Sequence, residues 1–237
     1  MIQDVKLVKK EVIANGTMAF HWERPSGFEF IAGQNGDFTL IDPPKTDDKG
    51  NLRTFSFVNA PFEKDLVIAT RMRDSTFKNV LKRLPIGSEI KMAAPHGDFK
   101  LHKTDTTPAV FIIGGIGVTP IRSIIADATN NHLAHKITLI YSNRTPDDAP
   151  YTSDFEEFAD INPNFTFVPV YTGNVADNRI GERGHINSDM LKKYISDIIP
   201  PIYYLAGPPE MIKAMRKLLV EIGANEDNIR SEEFDGY

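Results

Sequence analysis

The period of the hydrophobic pattern changes once along this chain, and that change restricts the fold more than any other feature. Up to about residue 102, apolar and polar residues alternate in short runs broken by glycine and proline. Beyond residue 108 the apolar runs become nearly continuous and are separated by helical patterns. Alternation describes strands with one wet face, and continuous runs describe parallel strands covered on both faces. In the first part, residues 5–8, 18–22, 37–41, 54–58, 66–70 and 89–92 predict six short strands, hence an antiparallel barrel or sandwich. One helix interrupts them, with Phe77, Val80, Leu81 and Leu84 on a stripe, Asp74 or Ser75 as its cap and Pro85-Ile86-Gly87 ending it.

Residues 102–108 are polar, proline-terminated and without period, so they predict a linker between a domain at 1–102 and a domain at 108–237. In the second domain, strands are expected at 110–113, 137–141, 165–170 and 202–206, with helices at 120–129, 153–159, 188–195 and 209–222. A short strand at 229–234 closes the chain. Alternating strands and helices of this kind predict an α/β doubly wound parallel sheet.

The bulk numbers exclude several function classes. With 237 residues and a net charge of -5, the chain carries no basic field for nucleic acid or an anionic membrane. No apolar run approaches the ~18 residues of a membrane span, and the first residues lack the order of a signal peptide, so a cytoplasmic protein is expected. The absence of cysteine removes disulfides and a cysteine-ligated iron–sulfur cluster. Of the six histidines, His132 and His135 read as solvated residues at a helix end, and no metal site is expected.

Within Gly114-Gly115-Ile116-Gly117-Val118-Thr119-Pro120 a buried strand ends, glycines turn the chain, and Thr119 and Pro120 suit the cap and first position of a helix. Such a turn offers backbone N–H groups and a positive helix end to an anion, and Gly114, Gly115 and Gly117 would let a pyrophosphate approach the backbone. Ala206-Gly207-Pro208-Pro209-Glu210-Met211 repeats the logic one strand further on. Glu210 reads there as a first-turn charge, and Met211 and Met215 as core. After the second strand, Ser142, Arg144 and Tyr151 could read a 2′-phosphate, while Asp147 and Asp148 between them would repel it, leaving NADPH and NADH both open.

The segment Arg53-Thr54-Phe55-Ser56 lies on an expected strand, with Arg53 and Phe55 facing one way and Thr54 and Ser56 the other. It joins Phe30-Ile31-Ala32-Gly33-Gln34, Ala94-Pro95-His96-Gly97-Asp98-Phe99 and the two glycine turns in one ordered set. In that set the chain resembles the ferredoxin–NADP reductase superfamily over essentially its whole length. The resemblance implies a six-stranded flavin barrel followed by a nicotinamide dinucleotide domain, in a compact member without an iron–sulfur domain.

It also implies roles. Arg53 would meet the flavin's phosphate chain, Phe55 would pack on its ring and Ser56 would bond near its N5. Thr54, Arg71, Ser75, Thr76 and Phe77 would complete the flavin site, with FAD favoured over FMN. Gly114, Gly115, Gly117, Thr119 and Pro120 would hold the dinucleotide, and Ala206, Gly207, Pro208 and Pro209 would border the nicotinamide. At the carboxyl end, Glu232 and Phe234 match the family's acid and ring-covering aromatic, with Tyr237 as the second choice for the ring. Phe55 replaces the family's tyrosine and Ala206 its cysteine. The activity implied is hydride transfer from NAD(P)H to the flavin, then electron delivery to a ferredoxin or another carrier protein. A reductase of free flavin or ferric chelates, and a flavin-binding regulatory module without turnover, are the alternatives.

Overall fold

A computed structural model of the chain describes residues 2–175 and 180–234. Its first half is a six-stranded antiparallel sheet built from β1 (Ile2–Ala14), β2 (Thr17–Trp22), β3 (Asn35–Thr39), β4 (Leu52–Ser56), β5 (Leu66–Arg71) and β6 (Glu89–His96). The strand order is β4-β3-β6-β1-β2-β5. The alternation in sequence becomes an inner face: Leu7, Phe20, Trp22, Phe38, Leu66, Ile68 and Ile90 share one core. Each such side chain contributes about 1.5–3 kcal/mol by leaving water. Helix α1 (Thr76–Arg83) adds Phe77 and Leu81 to that core.

The second half is a parallel sheet of β7 (Ala109–Gly114), β8 (Ile137–Asn143), β9 (Phe165–Tyr171), β10 (Glu182–Arg183), β11 (Ile202–Gly207) and β12 (Ile229–Glu233), in the order β10-β9-β8-β7-β11-β12. Along β7, Ala109, Phe111 and Ile113 enter one core, and Val110 and Ile112 the core on the opposite face. That double burial is why the run reads as unbroken hydrophobicity. Helices α2 (Thr119–Asn130) and α3 (Thr152–Ile161) cover the first face, and α4 (Ser188–Tyr194) and α5 (Pro209–Glu221) the second. The two-residue β10 has no readable period and escapes the sequence pattern.

Two local expectations are corrected. Thr119 does not cap a fresh helix. A 3₁₀ turn over Gly115–Val118 leads straight into α2, and Thr119 is already helical, its hydroxyl donating to the Ile116 carbonyl at 3.2 Å. His135 is buried rather than solvated, with Nε2 donating to the His102 carbonyl at 2.8 Å. The segment expected as a linker joins the two halves and is docked on the second: His102 is buried, its backbone N–H donates to the Tyr204 hydroxyl at 2.9 Å, and its Nε2 donates to the Thr107 carbonyl at 2.8 Å. Satisfied hydrogen bonds allow polar groups to be buried there.

The two halves share contacts. Ala32 and Phe99 from the first enter the core of the second, and Ile116 packs against Ala19, Val58 and Ala69. Arg122 on α2 bridges Glu63 of the barrel half and Asp154 on α3.

Candidate functional site

Strands β8 and β9 lie on one side of β7, and β11 and β12 on the other. The carboxyl ends of β7 and β11 therefore flank the point where strand order reverses, the usual ligand position in open α/β sheets. A cleft of about 830 Å³ opens there, with Gly114, Gly115, Ser142, Arg144 and Pro208 on the sheet side and Gly16, Arg71 and Arg73 on the barrel side. The β1–β2 turn and the chain after β8 meet across it. The Asn15 N–H donates to the Asp147 carbonyl at 2.8 Å, and Arg71 donates to the carbonyls of Asn15 at 3.0 Å and Asp148 at 2.7 Å.

The glycines in the two turns answer to packing first. A Cβ on Gly117 would lie 2.7 Å from the Ala206 carbonyl carbon and oxygen, and one on Gly114 would lie 2.4 Å from the Met211 sulfur. Gly115 takes φ +52, in the left-handed region. Of the residues expected to hold the dinucleotide, Gly114, Gly115, Ser142, Arg144 and Pro208 line the cleft, while Gly117, Thr119, Pro120, Ala206, Gly207 and Pro209 do not. Thr119, Pro120 and Ala206 are buried, and Gly207 closes β11 beside Gly114. Tyr151 also stands elsewhere. It caps α3 at φ +64 and borders a separate cavity of about 310 Å³ with Arg122, Glu63 and Asp154, its buried hydroxyl unpartnered. Burial there holds its phenol far above the usual tyrosine range.

On the barrel, Arg53 and Phe55 face one side and both meet Phe77: the guanidinium lies 5.2 Å from its ring centre, and the Phe55 ring 5.9 Å. Arg53 donates to the carbonyls of Lys49, Gly50 and Leu52 and to the Asp47 carboxylate at 2.7 Å. Thr54 faces the other way and donates to Asp37. Ser75 caps α1 and Thr76 begins it, with no side-chain cap bond and no acid in the first turn. Lys78 occupies that turn, where the helix dipole disfavours a cation. Burial, then Arg73 and Arg53, hold its ammonium below the usual lysine range. Sequence reasoning missed Lys78 because its partners come from β4 and the β5–α1 connection.

Ser56 is buried and pairs in register with Asn35 on β3. The Asn35 side chain in turn faces Glu232 on β12, so the end of β12 reaches the strand that pairs with the one carrying Ser56. Burial raises the Glu232 carboxyl to about 6, against the lowering effect of Asn35, and its Oε2 is buried without a partner. Phe234 packs on the sheet core, its N–H donating to the Gly207 carbonyl at 3.2 Å. Tyr237 lies outside the described residues.

The site fits both implied groups. For a flavin, Lys78 and Arg73 offer positive charge to phosphates near α1, and Ser56 and Glu232 offer polar atoms at the seam. For a dinucleotide, the cleft holds Gly114, Gly115 and Arg144, and it is bordered by Asn143, a buried side chain with both amide atoms unpartnered. Asn143 was not among the sequence candidates, since an asparagine at a strand end reads as an ordinary turn residue. Among the described residues no group of three or more His, Cys, Asp or Glu side chains is placed to hold a metal ion, and no helix is long and apolar enough to cross a membrane.

Comparison with known proteins agrees with this geometry. Residues 111–217 match the oxidoreductase NAD-binding domain. The F subunit of the Na(+)-translocating NADH-quinone reductase of Klebsiella pneumoniae is 33% identical over 229 aligned residues, covering 84% of this chain and 56% of the relative. The chain thus spans a little over half the length of that protein. The flavohem-like FAD/NAD binding domain of nitric oxide dioxygenase from Vibrio cholerae superposes with a TM-score of 0.84 at 18% identity, covering 98% of each chain. A ferredoxin NADP+ reductase from Neisseria gonorrhoeae with bound FAD and NADP superposes with a TM-score of 0.79 at 21% identity, again covering 98% of each.

Proposed function

Since this chain belongs to the ferredoxin–NADP reductase superfamily, we propose that it takes a hydride from NAD(P)H onto a bound flavin, FAD in preference to FMN, and passes electrons to a separate carrier protein. The observation that carries this reading is the seam where Glu232 on β12, paired with Ala206 of β11, faces Asn35, the register partner of Ser56, beside the glycine turns of β7 and β11. There the nicotinamide wall and the flavin wall would face each other.

A bound flavin supplies what no side chain here can, accepting two electrons together and releasing them singly. The chain's own groups position and shield. Gly114, Gly115 and Pro208 shape the nicotinamide side of the cleft. Lys78 and Arg73 neutralise flavin phosphates, while Arg53, tied to Asp47 and three carbonyls, holds the 47–52 loop against the barrel. Ser56 donates its hydroxyl proton toward the flavin edge. Glu232, with a carboxyl near 6, holds or releases a proton close to neutral pH. Phe234 closes the site against water. The name of the relative, which places it in an NADH-quinone reductase, supports NADH as the donor.

A second reading, reduction of free flavin or ferric chelates, draws on Phe55. It lacks a phenol to bond a flavin, and its ring already packs on Phe38 and Phe77. Anaerobic stopped-flow mixing of FAD-loaded protein with NADH and NADPH tests the proposal. Bleaching of the flavin band on a turnover time scale is expected, slowed in Ser56→Ala more than nucleotide binding is weakened. No bleaching with either donor, despite bound flavin, would overturn it. Flavin retained one to one through gel filtration would count against the free-flavin reading.

A further inference from the structure

Arg71 ends β5 at the mouth of the cleft, and its guanidinium belongs to both halves of the molecule. One terminal nitrogen donates to the Asn15 carbonyl in the β1–β2 turn at 3.0 Å, and the other to the Asp148 carbonyl beyond β8 at 2.7 Å. Beside them the Asn15 N–H donates to the Asp147 carbonyl at 2.8 Å. A planar fork holds two acceptors at once in a fixed geometry, which a lysine ammonium on its flexible stem does not. Arg71 is therefore a clamp from barrel to sheet, and both of its terminal nitrogens are engaged by the protein itself.

On the barrel side, the chain runs from Arg71 directly into Arg73 and Lys78, the charges placed near α1, and the Met72 N–H donates back to the Gly16 carbonyl at 2.7 Å. On the sheet side, the Asp148 carboxylate accepts from the Thr145 hydroxyl at 2.7 Å, which leaves its carbonyl to Arg71. Shortly after it, the Pro150 carbonyl lies 3.4 Å from the Tyr141 hydroxyl, which donates to the Gly115 carbonyl at 3.1 Å. A short path of bonds and chain thus joins the flavin side of the barrel to the glycine turn of the cleft. A second link between the halves, Arg122 with Glu63, borders the separate cavity, so it can act as a pivot while Arg71 fixes the mouth. We propose that Arg71 is a positioning residue for hydride transfer: it sets how closely the two halves approach across the cleft, an inference that rests on the hydride-transfer reading above. Misplacing reacting groups by about 1 Å can cost about 100-fold in rate, so a clamp at this point acts on the chemical step more than on binding.

The test uses the flavin-loaded protein and its Arg71→Met and Arg71→Lys variants. Anaerobic stopped-flow reduction at rising NADH, or at rising NADPH where only that donor reduces the wild type, separates the limiting rate from the nucleotide dissociation constant. Hydrogen exchange without nucleotide follows the Asn15 amide, whose bond to Asp147 crosses the seam. In Arg71→Met the limiting rate should fall about 10–100-fold. The dissociation constant and flavin content should stay within about twofold of wild type, while the Asn15 amide exchanges faster. Arg71→Lys, which keeps the charge but not the fork, should lie between. Should Arg71→Met fail to hold flavin, Arg71→Lys alone carries the test, and a fall in its limiting rate is required. A weakened dissociation constant at an unchanged limiting rate would overturn the proposal, because Arg71 would then be meeting the nucleotide itself. An unchanged rate in both variants would also overturn it, whatever the exchange shows, and leave the hydride-transfer reading standing. If neither donor reduced the flavin of the wild type, the hydride-transfer reading would fall, and the proposal with it.

Discussion

The wall of the cleft contributed by the parallel sheet and the seam between the two halves are held by opposite kinds of force. Behind the wall, backbone lies on backbone: the turn at Gly117 sits on Ala206 and Gly207. In the seam, Arg122 lies between Glu63 and Asp154, with 14% of its side chain exposed, and the buried Glu232 carboxyl faces Asn35. Close packing tolerates no added atoms and is indifferent to pH. Half-buried charge is adjustable and responds to protons. One surface of the site is therefore fixed geometry, while the approach of the other depends on groups that can change state.

Breaking the wall should have the largest effect. Gly117→Ala places a Cβ against backbone that cannot swing aside, and should cost about 3 kcal/mol in urea denaturation. Gly50→Ala is the control, a glycine at φ +70 with open space around it, where the loss should be only about 1 kcal/mol. The seam comes next. Arg122→Met leaves Glu63 and Asp154 facing an apolar side chain and should cost about 2–3 kcal/mol, the lower end for buried pairs because both carboxylates keep some solvent.

Glu232 gives the comparison its pH axis. Its carboxyl is raised from 4.5 to about 6, so the folded state holds the proton more tightly than the unfolded chain. That contribution is fully present below pH 4.5 and is lost as pH rises through about 6. The loss amounts to about 2 kcal/mol. Glu232→Gln should lack this fall, whereas Gly117→Ala should keep it. Stability curves for all three proteins between pH 4 and pH 8 would show which surface titrates. The smallest effect is expected at Tyr151, whose orphaned hydroxyl lies in the seam cavity. Tyr151→Phe should stabilise by about 1 kcal/mol in the same denaturation assay, and a loss instead would mean that the hydroxyl has a partner in solution.

Much of this was legible in the chain because it repeats locally. Alternation produced the strands that carry Phe20, Trp22 and Phe38, and unbroken runs produced β7 and β11 with the glycine turns after them. Motif spacing singles out Ser56 and Glu232 as candidates. Their connection through Asn35 was not readable, since it joins strands whose positions are set only by the folded halves. His135 misled for the same reason: its acceptor is a carbonyl 33 residues away in sequence. Lys78 and Asn143 are ordinary residue types at ordinary positions. Only the missing counter-charge in one case, and the missing hydrogen bonds in the other, mark them out.

The grip of the β1–β2 turn on the chain after β8 has a consequence for engineering. Asn15 and Arg71, both from the barrel, bind carbonyls at Asp147 and Asp148, only a few residues beyond Asn143 and Arg144. The segment proposed to meet the nucleotide is therefore positioned partly by the other half of the molecule. A chimera that grafts this second half onto a relative's barrel would carry the recognition residues without their brace. Cofactor preference should then transfer incompletely, and restoring the β1–β2 turn together with Arg71 should recover it.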